Sequence, residues 1–221
     1  MLSNVIAIDG PAASGKSTVA KSIALATGAV YISTGLLYRA IAWKALRSNV
    51  NPSDENALAS MLKSTRIEYV ENETGIAEIC CDGVFPGKLL RTPEVASTAS
   101  VVAVYPSVRN WTLEIQRKTA ESKRIVMEGR DIGTVIFPDA KYKFFLTASP
   151  IARAKRRLAQ EGEFLSGETV ERVAAEIAER DKRDSERAIA PLRCAKDAIL
   201  IDNSDLSQEQ TLEQILKYIN A

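Results

Sequence analysis

The stretch Gly10-Pro-Ala-Ala-Ser-Gly-Lys-Ser17 meets the pattern G-x-x-x-x-G-K-[ST] at every fixed position. Its two glycines permit a tight loop whose backbone N–H groups face inward, where an anion collects several of them together with the positive end of a following helix. A polyphosphate is the natural occupant. Across Gly10, Pro11, Ala12, Ala13, Ser14, Gly15, Lys16, Ser17 and Thr18, the Lys16 ammonium is spaced to reach β- and γ-phosphates. The Ser17 hydroxyl is spaced to ligate a magnesium ion between them.

Other residues carry charge that a fold would have to place with care. From Thr169 onward Val173, Ile177, Arg180, Asp184 and Arg187 advance by +4, +3, +4 and +3, so they share one helical face that begins apolar and ends charged. Burying that charged end costs on the order of several kcal/mol unless a ligand neutralises it, which points to an anion in a cleft. Upstream, Arg153, Lys155, Arg156 and Arg157 open a helix after Ser149-Pro150, and Gly162 and Gly167 flank the stretch that follows. Flexible glycines beside clustered arginines suggest a lid over phosphates. A further polar cluster, Glu128-Gly129-Arg130-Asp131, closes the apolar run Arg124-Ile-Val-Met127.

The elements that must position these residues follow from periodicity. Short apolar runs at Val5–Ile8, Ala29–Ile32, Arg124–Met127, Lys143–Leu146 and Ala198–Ile201 read as five buried parallel strands. Helices are predicted over Lys16–Ala26, Leu36–Leu46, Glu55–Leu62, from Thr92-Pro93 through Ser100, over Pro106–Glu121 with Arg109, and over Gln208–Ile219. Arg39 lies one turn into its helix, where a cation opposes the helix dipole unless an anion is near. The alternation means an α/β sandwich with a central parallel sheet, and ligands bind beyond the carboxyl ends of such strands. One interruption is predicted: Ile67–Val70 and Ile76–Cys80 alternate around Asn72-Glu-Thr-Gly75 as a hairpin, with a further short strand at Val84-Phe85. An antiparallel insertion of this kind suggests a separate mobile lobe.

Composition narrows the chemistry. At 221 residues with 46% hydrophobic content the chain suits one domain with insertions, and a net charge of +1 gives no reason to expect nucleic acid or an anionic membrane as partner. No apolar run is long enough for a membrane span, so a soluble, cytoplasmic protein is expected, and a monomer. Cys80, Cys81 and Cys194 fit neither a disulfide framework nor a zinc site. Histidine is absent, which excludes an imidazole base; phosphoryl transfer survives, because it relies on positioning and charge neutralisation.

Beyond the P-loop, the chain contains Thr34-Gly35 with Tyr38-Arg39, Leu90-Arg-Thr-Pro-Glu-Val95, Gly129-Arg-Asp-Ile-Gly-Thr-Val-Ile-Phe-Pro-Asp-Ala140, Arg153-Ala154 with Arg156-Arg157, Arg180-Asp181 through Asp184 to Arg187, and Ala190-Pro-Leu192. Through these segments it resembles, almost from end to end, the bacterial cytidylate kinases. The resemblance implies a single P-loop kinase domain, a three-layer α/β sandwich with a five-stranded parallel sheet. It divides that domain into a core (1–63, 92–150, 168–221), a β-containing insertion that binds the nucleoside monophosphate (64–91) and a short helical lid (151–167). ATP with Mg2+ would be the phosphoryl donor, and CMP or dCMP the acceptor. Arg39, Arg130 and Arg187 would hold the acceptor phosphate, and Thr34 would also bind the substrate. Ser100, Arg109 and Asp131 would read cytosine, whose exocyclic amino group a carboxylate accepts and where uracil presents an oxygen. Arg180 and Asp184 would meet the sugar hydroxyls, and Arg153 and Arg157 would close on the donor phosphates. Ala13, Ser33, Leu36-Leu37 and Glu128 depart from the family's commoner residues, glycine or serine, aspartate, a smaller pair and aspartate. Two alternatives stay open: another acceptor, such as UMP, AMP or a small alcohol, and a nucleotide-driven switch, against which stands the lack of an N-K-x-D segment.

Overall fold

The computed structural model describes residues 2–159 and 169–220. The chain begins β1 (Leu2–Asp9), α1 (Lys16–Thr27), β2 (Val30–Ser33), α2 (Thr34–Arg47) and α3 (Glu55–Lys63). A hairpin of β3 (Ile67–Glu71) and β4 (Ala77–Cys81) leads through a 3-10 turn at Gly87–Arg91 into α4 (Pro93–Val102) and α5 (Pro106–Lys118). Then come β5 (Ile125–Gly129), one π turn (Ile132–Ile136), β6 (Ala140–Thr147), α6 (Pro150–Leu158), α7 (Val170–Glu186), β7 (Ile199–Asp202) and α8 (Gln208–Ile219). Residues 160–167 of the expected lid, Gly162 and Gly167 among them, lie outside the described residues.

The main sheet has the order β2-β5-β1-β6-β7, every neighbouring pair parallel. Alternation along the strands sorts side chains to two faces. Ile6, Ile8, Val126, Phe144 and Ile201 pack with Val19 and Ile23 of α1 and Ile215 and Ile219 of α8. Val5, Ala7, Ile125 and Met127 face the other way, against Ile132, Ile136 and Phe137. Burying each large apolar side chain of this kind contributes about 1.5–3 kcal/mol. A third cluster joins α2, α3, α4 and α5 to Ile67, Ile79 and Cys81 of the hairpin.

The five strands fall where the sequence predicts them: β1 and β6 are extended by a few residues, because apolar runs mark only the buried middle of a strand, and β2, β5 and β7 begin one residue later than expected. Differences arise where tertiary contacts decide. The helix expected to reach Glu121 stops at Lys118, and α7 stops at Glu186, so Arg187 (ψ 140°) is its cap and not a helical residue. Val84-Phe85 forms no strand, only an isolated bridge from Val84 to Cys81. Nor is the hairpin freestanding: it shares the α2–α5 core, and at its tip Tyr31 N–H of edge strand β2 donates to Gly75 O at 2.9 Å.

Register brings the polar strand ends together. Asp9 of β1 stands beside Gly129 of β5, and Ser33 of β2 beside Glu128, so the loop at 10–15 leaves β1 next to the Glu128–Asp131 cluster.

Candidate active site

The phosphate loop is shaped by two close approaches. A Cβ on Gly10 (φ 151°) would lie 2.0 Å from Leu146 O of β6, so only glycine fits there. Gly15 (φ 88°) precedes α1, whose first turn has no side-chain cap and no acidic residue. The N–H groups at that helix end are therefore left for an anion. Ala13, with φ 57°, takes a left-handed conformation that costs a non-glycine residue about 1 kcal/mol.

Lys16 is buried and folds back, its Nζ donating to Pro11 O at 2.6 Å and to Ser14 Oγ at 3.4 Å. Burial, with the like charges of Arg130 and Arg180, lowers its pKa to about 7 in spite of Glu128 and Asp9. A cation held this far from its preferred state gains from any phosphate that arrives. Beside it, Ser17 Oγ donates to Glu128 Oε1 at 3.1 Å, and the same oxygen accepts from Ser33 Oγ at 2.6 Å and Tyr31 OH at 3.4 Å. Glu128 Oε2 makes no hydrogen bond among the described residues. A serine hydroxyl next to a buried carboxylate is the hard-oxygen donor set that suits magnesium, which keeps most of its water and takes one or two protein ligands.

Facing the loop, Arg130 donates from Nε to Asp184 Oδ2 at 2.9 Å. Arg187 donates from Nε to Ala190 O at 2.7 Å, and its NH2, buried, makes no hydrogen bond among the described residues, with Asp131 Oδ1 3.7 Å away. Arg180 Nε is likewise buried without a hydrogen-bond partner among the described residues; burial and the neighbouring Arg130 charge lower its pKa to about 10. Arg39 donates to Leu90 O at 3.0 Å. Deeper in, Arg109 and Asp131 form a buried ion pair, with Arg109 over the Tyr38 ring and bonded to Ala103 O. Burial raises the pKa of Asp131, though Arg109, Arg187 and Arg130 all pull it down. Ser100 Oγ is buried and makes no hydrogen bond among the described residues.

All these groups line one cleft enclosing about 1220 Å3, part of it open to solvent. Its cations outnumber its carboxylates, Glu128, Asp131 and Asp184, by more than two to one. Of the residues singled out from sequence, 12–18, Thr34, Arg39, Ser100, Arg109, Arg130, Asp131, Arg157, Arg180, Asp184 and Arg187 line it, while Gly10, Pro11 and Arg153 do not. Thr34 spends its hydroxyl on Glu128 O at 3.0 Å. Arg153 is buried beneath the loop, bonded to Ala148 O, Ala12 O and Asp181. Sequence reasoning passed over Arg91, which lines the cleft, and Asp9, which accepts from Ile132 N and Gly133 N at 2.8 Å each. Asp9 could have been flagged as an acid at the end of a buried strand.

The family model for cytidylate kinase matches residues 6–221. The chain belongs to the cytidylate kinase family. Cytidylate kinases from Desulfitobacterium hafniense, a Geobacillus species and Bacillus subtilis are 44%, 46% and 43% identical to it. Each match covers 97% of this chain and 92%, 96% and 95% of the respective relative. Two solved structures share the fold over 98% of both chains: an uncharacterized protein from Eubacterium ventriosum (TM-score 0.54, 16% identity) and shikimate kinase from Bacteroides thetaiotaomicron (0.51, 12%). Family membership makes the chain a nucleoside monophosphate kinase. No described helix is long and apolar enough to cross a membrane.

Proposed function

We propose that the chain transfers the γ-phosphoryl group of magnesium-bound ATP to CMP or dCMP, yielding ADP and CDP or dCDP. The observation that carries this reading is the set of guanidinium groups of Arg130, Arg180 and Arg187 gathered opposite Lys16 in one cleft. Two polyanions repel each other, and only such a surplus of cations holds them in contact.

The acceptor phosphate oxygen is an anionic nucleophile already, so no base is needed: its bond to the γ-phosphorus forms as the bond from that phosphorus to the β-bridging oxygen breaks. Lys16 and the open end of α1 hold the donor phosphates. Magnesium at Ser17, beside Glu128, supplies charge neutralisation there when bound. Arg39, Arg130 and Arg187 hold the acceptor phosphate in line, and Arg157 approaches from α6. Asp131, oriented by Arg109, accepts from the cytosine amino group with Ser100 alongside, while Arg180 and Asp184 meet the sugar.

The core, insertion (64–91) and lid (151–167) are read as parts of one domain. The apolar cluster shared by α2–α5 and the hairpin supports an acceptor side wider than the insertion alone. The enzyme is read as a cytoplasmic monomer that acts on free nucleotides. A coupled assay with ATP and CMP, dCMP, UMP or AMP tests the reading: CMP and dCMP should have the highest kcat/KM, and a preference for UMP or AMP would overturn the assignment of Asp131.

A further inference from the structure

Ala12 is held by both of its backbone groups. Its N–H donates to Asp181 Oδ1 at 3.0 Å, and its carbonyl accepts from Arg153 NH1 at 3.2 Å. The same NH1 is paired with Asp181 Oδ2, which closes a ring around one residue of the phosphate loop and fixes the peptide groups on both sides of it. Arg153 is also fixed from the other side, its Nε donating to Ala148 O at 3.0 Å just past β6. The Ala12 methyl sits in an apolar cluster with Ala154 of α6 and Val173 and Ile177 of α7. One residue of the loop is thereby pinned to both helices.

The next residue explains what the pin is for. Ala13 is left-handed at φ 57°, and a strained backbone persists only when its surroundings over-determine it. If Ala12 were released, the loop would relax and its N–H groups would turn away from the phosphates. Arg153 is poorly placed for any other task. It is buried and outside the cleft, and its Nε and NH1 are already engaged, whereas Arg157, one turn along, lines the cleft. Asp181 directly follows Arg180, so adjacent residues of α7 send one side chain into the cleft and the other beneath the loop.

We propose that Arg153 and Asp181 are positioning residues which, through Ala12, set the phosphate-loop backbone for the donor triphosphate, neither of them touching nucleotide. This rests on the reading of that loop as the donor site. The test is the dissociation constant of a fluorescent ATP analogue and, separately, of CMP, for the wild type, Arg153→Met, Asp181→Ala and the double variant. Each single variant should weaken the ATP analogue about tenfold, and the double no more than the worse single, because the two side chains act as one unit. CMP affinity should move less than about threefold, and Arg153→Lys should recover part of the loss. If Arg153→Met fails to fold, Arg153→Lys and Asp181→Asn, which retain part of the ring, should still show the selective loss of ATP affinity.

Failures separate cleanly. A wild type that does not bind the ATP analogue sinks the donor-site reading and this proposal with it. A wild type that binds while Asp181→Ala binds equally well sinks the positioning role alone. Losses of ATP and CMP affinity in equal measure, tracking a fall in Tm, would reduce the pair to a general structural contact and overturn the proposal.

Discussion

Arg130 and Asp184 meet at 2.9 Å, which ties the end of β5 to α7 within the cleft. Burial alone would raise the Asp184 pKa, yet Arg130 and Arg180 hold it below the ordinary aspartate value. On the proposed reading of Arg130 as a ligand of the acceptor phosphate, the pair holds its guanidinium in place for that contact. Asp184→Asn should therefore raise KM for CMP by about tenfold or more and change KM for ATP by less than about threefold. Steady-state kinetics with each substrate varied in turn would check this, and an equal rise in both would contradict it.

Asp131 is buried against Arg109, and an amide in its place keeps the shape while reversing half of the hydrogen-bonding pattern. For Asp131→Asn, kcat/KM for CMP should fall by about a hundredfold, in line with the roughly 1–3 kcal/mol that an unmatched buried hydrogen-bonding group costs. Activity on UMP should fall much less, so the CMP-to-UMP ratio narrows. A constant ratio would show that the base is read elsewhere.

Glu128 gathers the Ser17, Ser33 and Tyr31 hydroxyls on one oxygen. Glu128→Gln should raise the magnesium concentration needed for half-maximal rate by about tenfold, with most of kcat recovered at saturating metal. A magnesium titration at fixed ATP reads this directly. An unchanged requirement would mean that Glu128 only orients β2.

Asp9 supplies a pH dependence. Burial pushes its pKa up to about 7 from 3.8, although the N–H groups of Gly133 and Ile132 pull it down. Between those two values the folded chain keeps a proton that the unfolded chain has released, so this group's stabilisation is full below pH 3.8 and is lost as pH climbs towards 7. While the two states differ by one whole proton the slope is about 1.4 kcal/mol per pH unit. In urea unfolding, the wild type's advantage over Asp9→Asn should be larger at pH 5 than at pH 8. Parallel curves would mean that Asp9 titrates normally.

What could be read from sequence was whatever is local. The phosphate loop is a contiguous pattern between a strand and a helix, and Arg130-Asp131 follows an apolar run whose carboxyl end must face the ligand. Asp9 was legible only as an acid at the end of a buried strand; what it holds was not, because its partners, Ile132 and Gly133, lie more than a hundred residues away. For Arg153, helical spacing groups it with Arg157 as a phosphate ligand, but only the approach of Asp181 from another helix reveals that it points beneath the loop. The stripe on α7 was legible as far as Asp184; that the helix stops before Arg187 lies in the extended backbone of Arg187 itself (ψ 140°), which periodicity does not report.

The bond from Tyr31 to Gly75 has a consequence away from the chemistry. β2 is an outer strand, and its free N–H and C=O groups would otherwise offer a template to a second chain. By laying its tip along that margin, the hairpin shields it. A shortened enzyme lacking residues 67–81 would acquire a sticky border and precipitate, because this ribbon keeps neighbouring molecules apart.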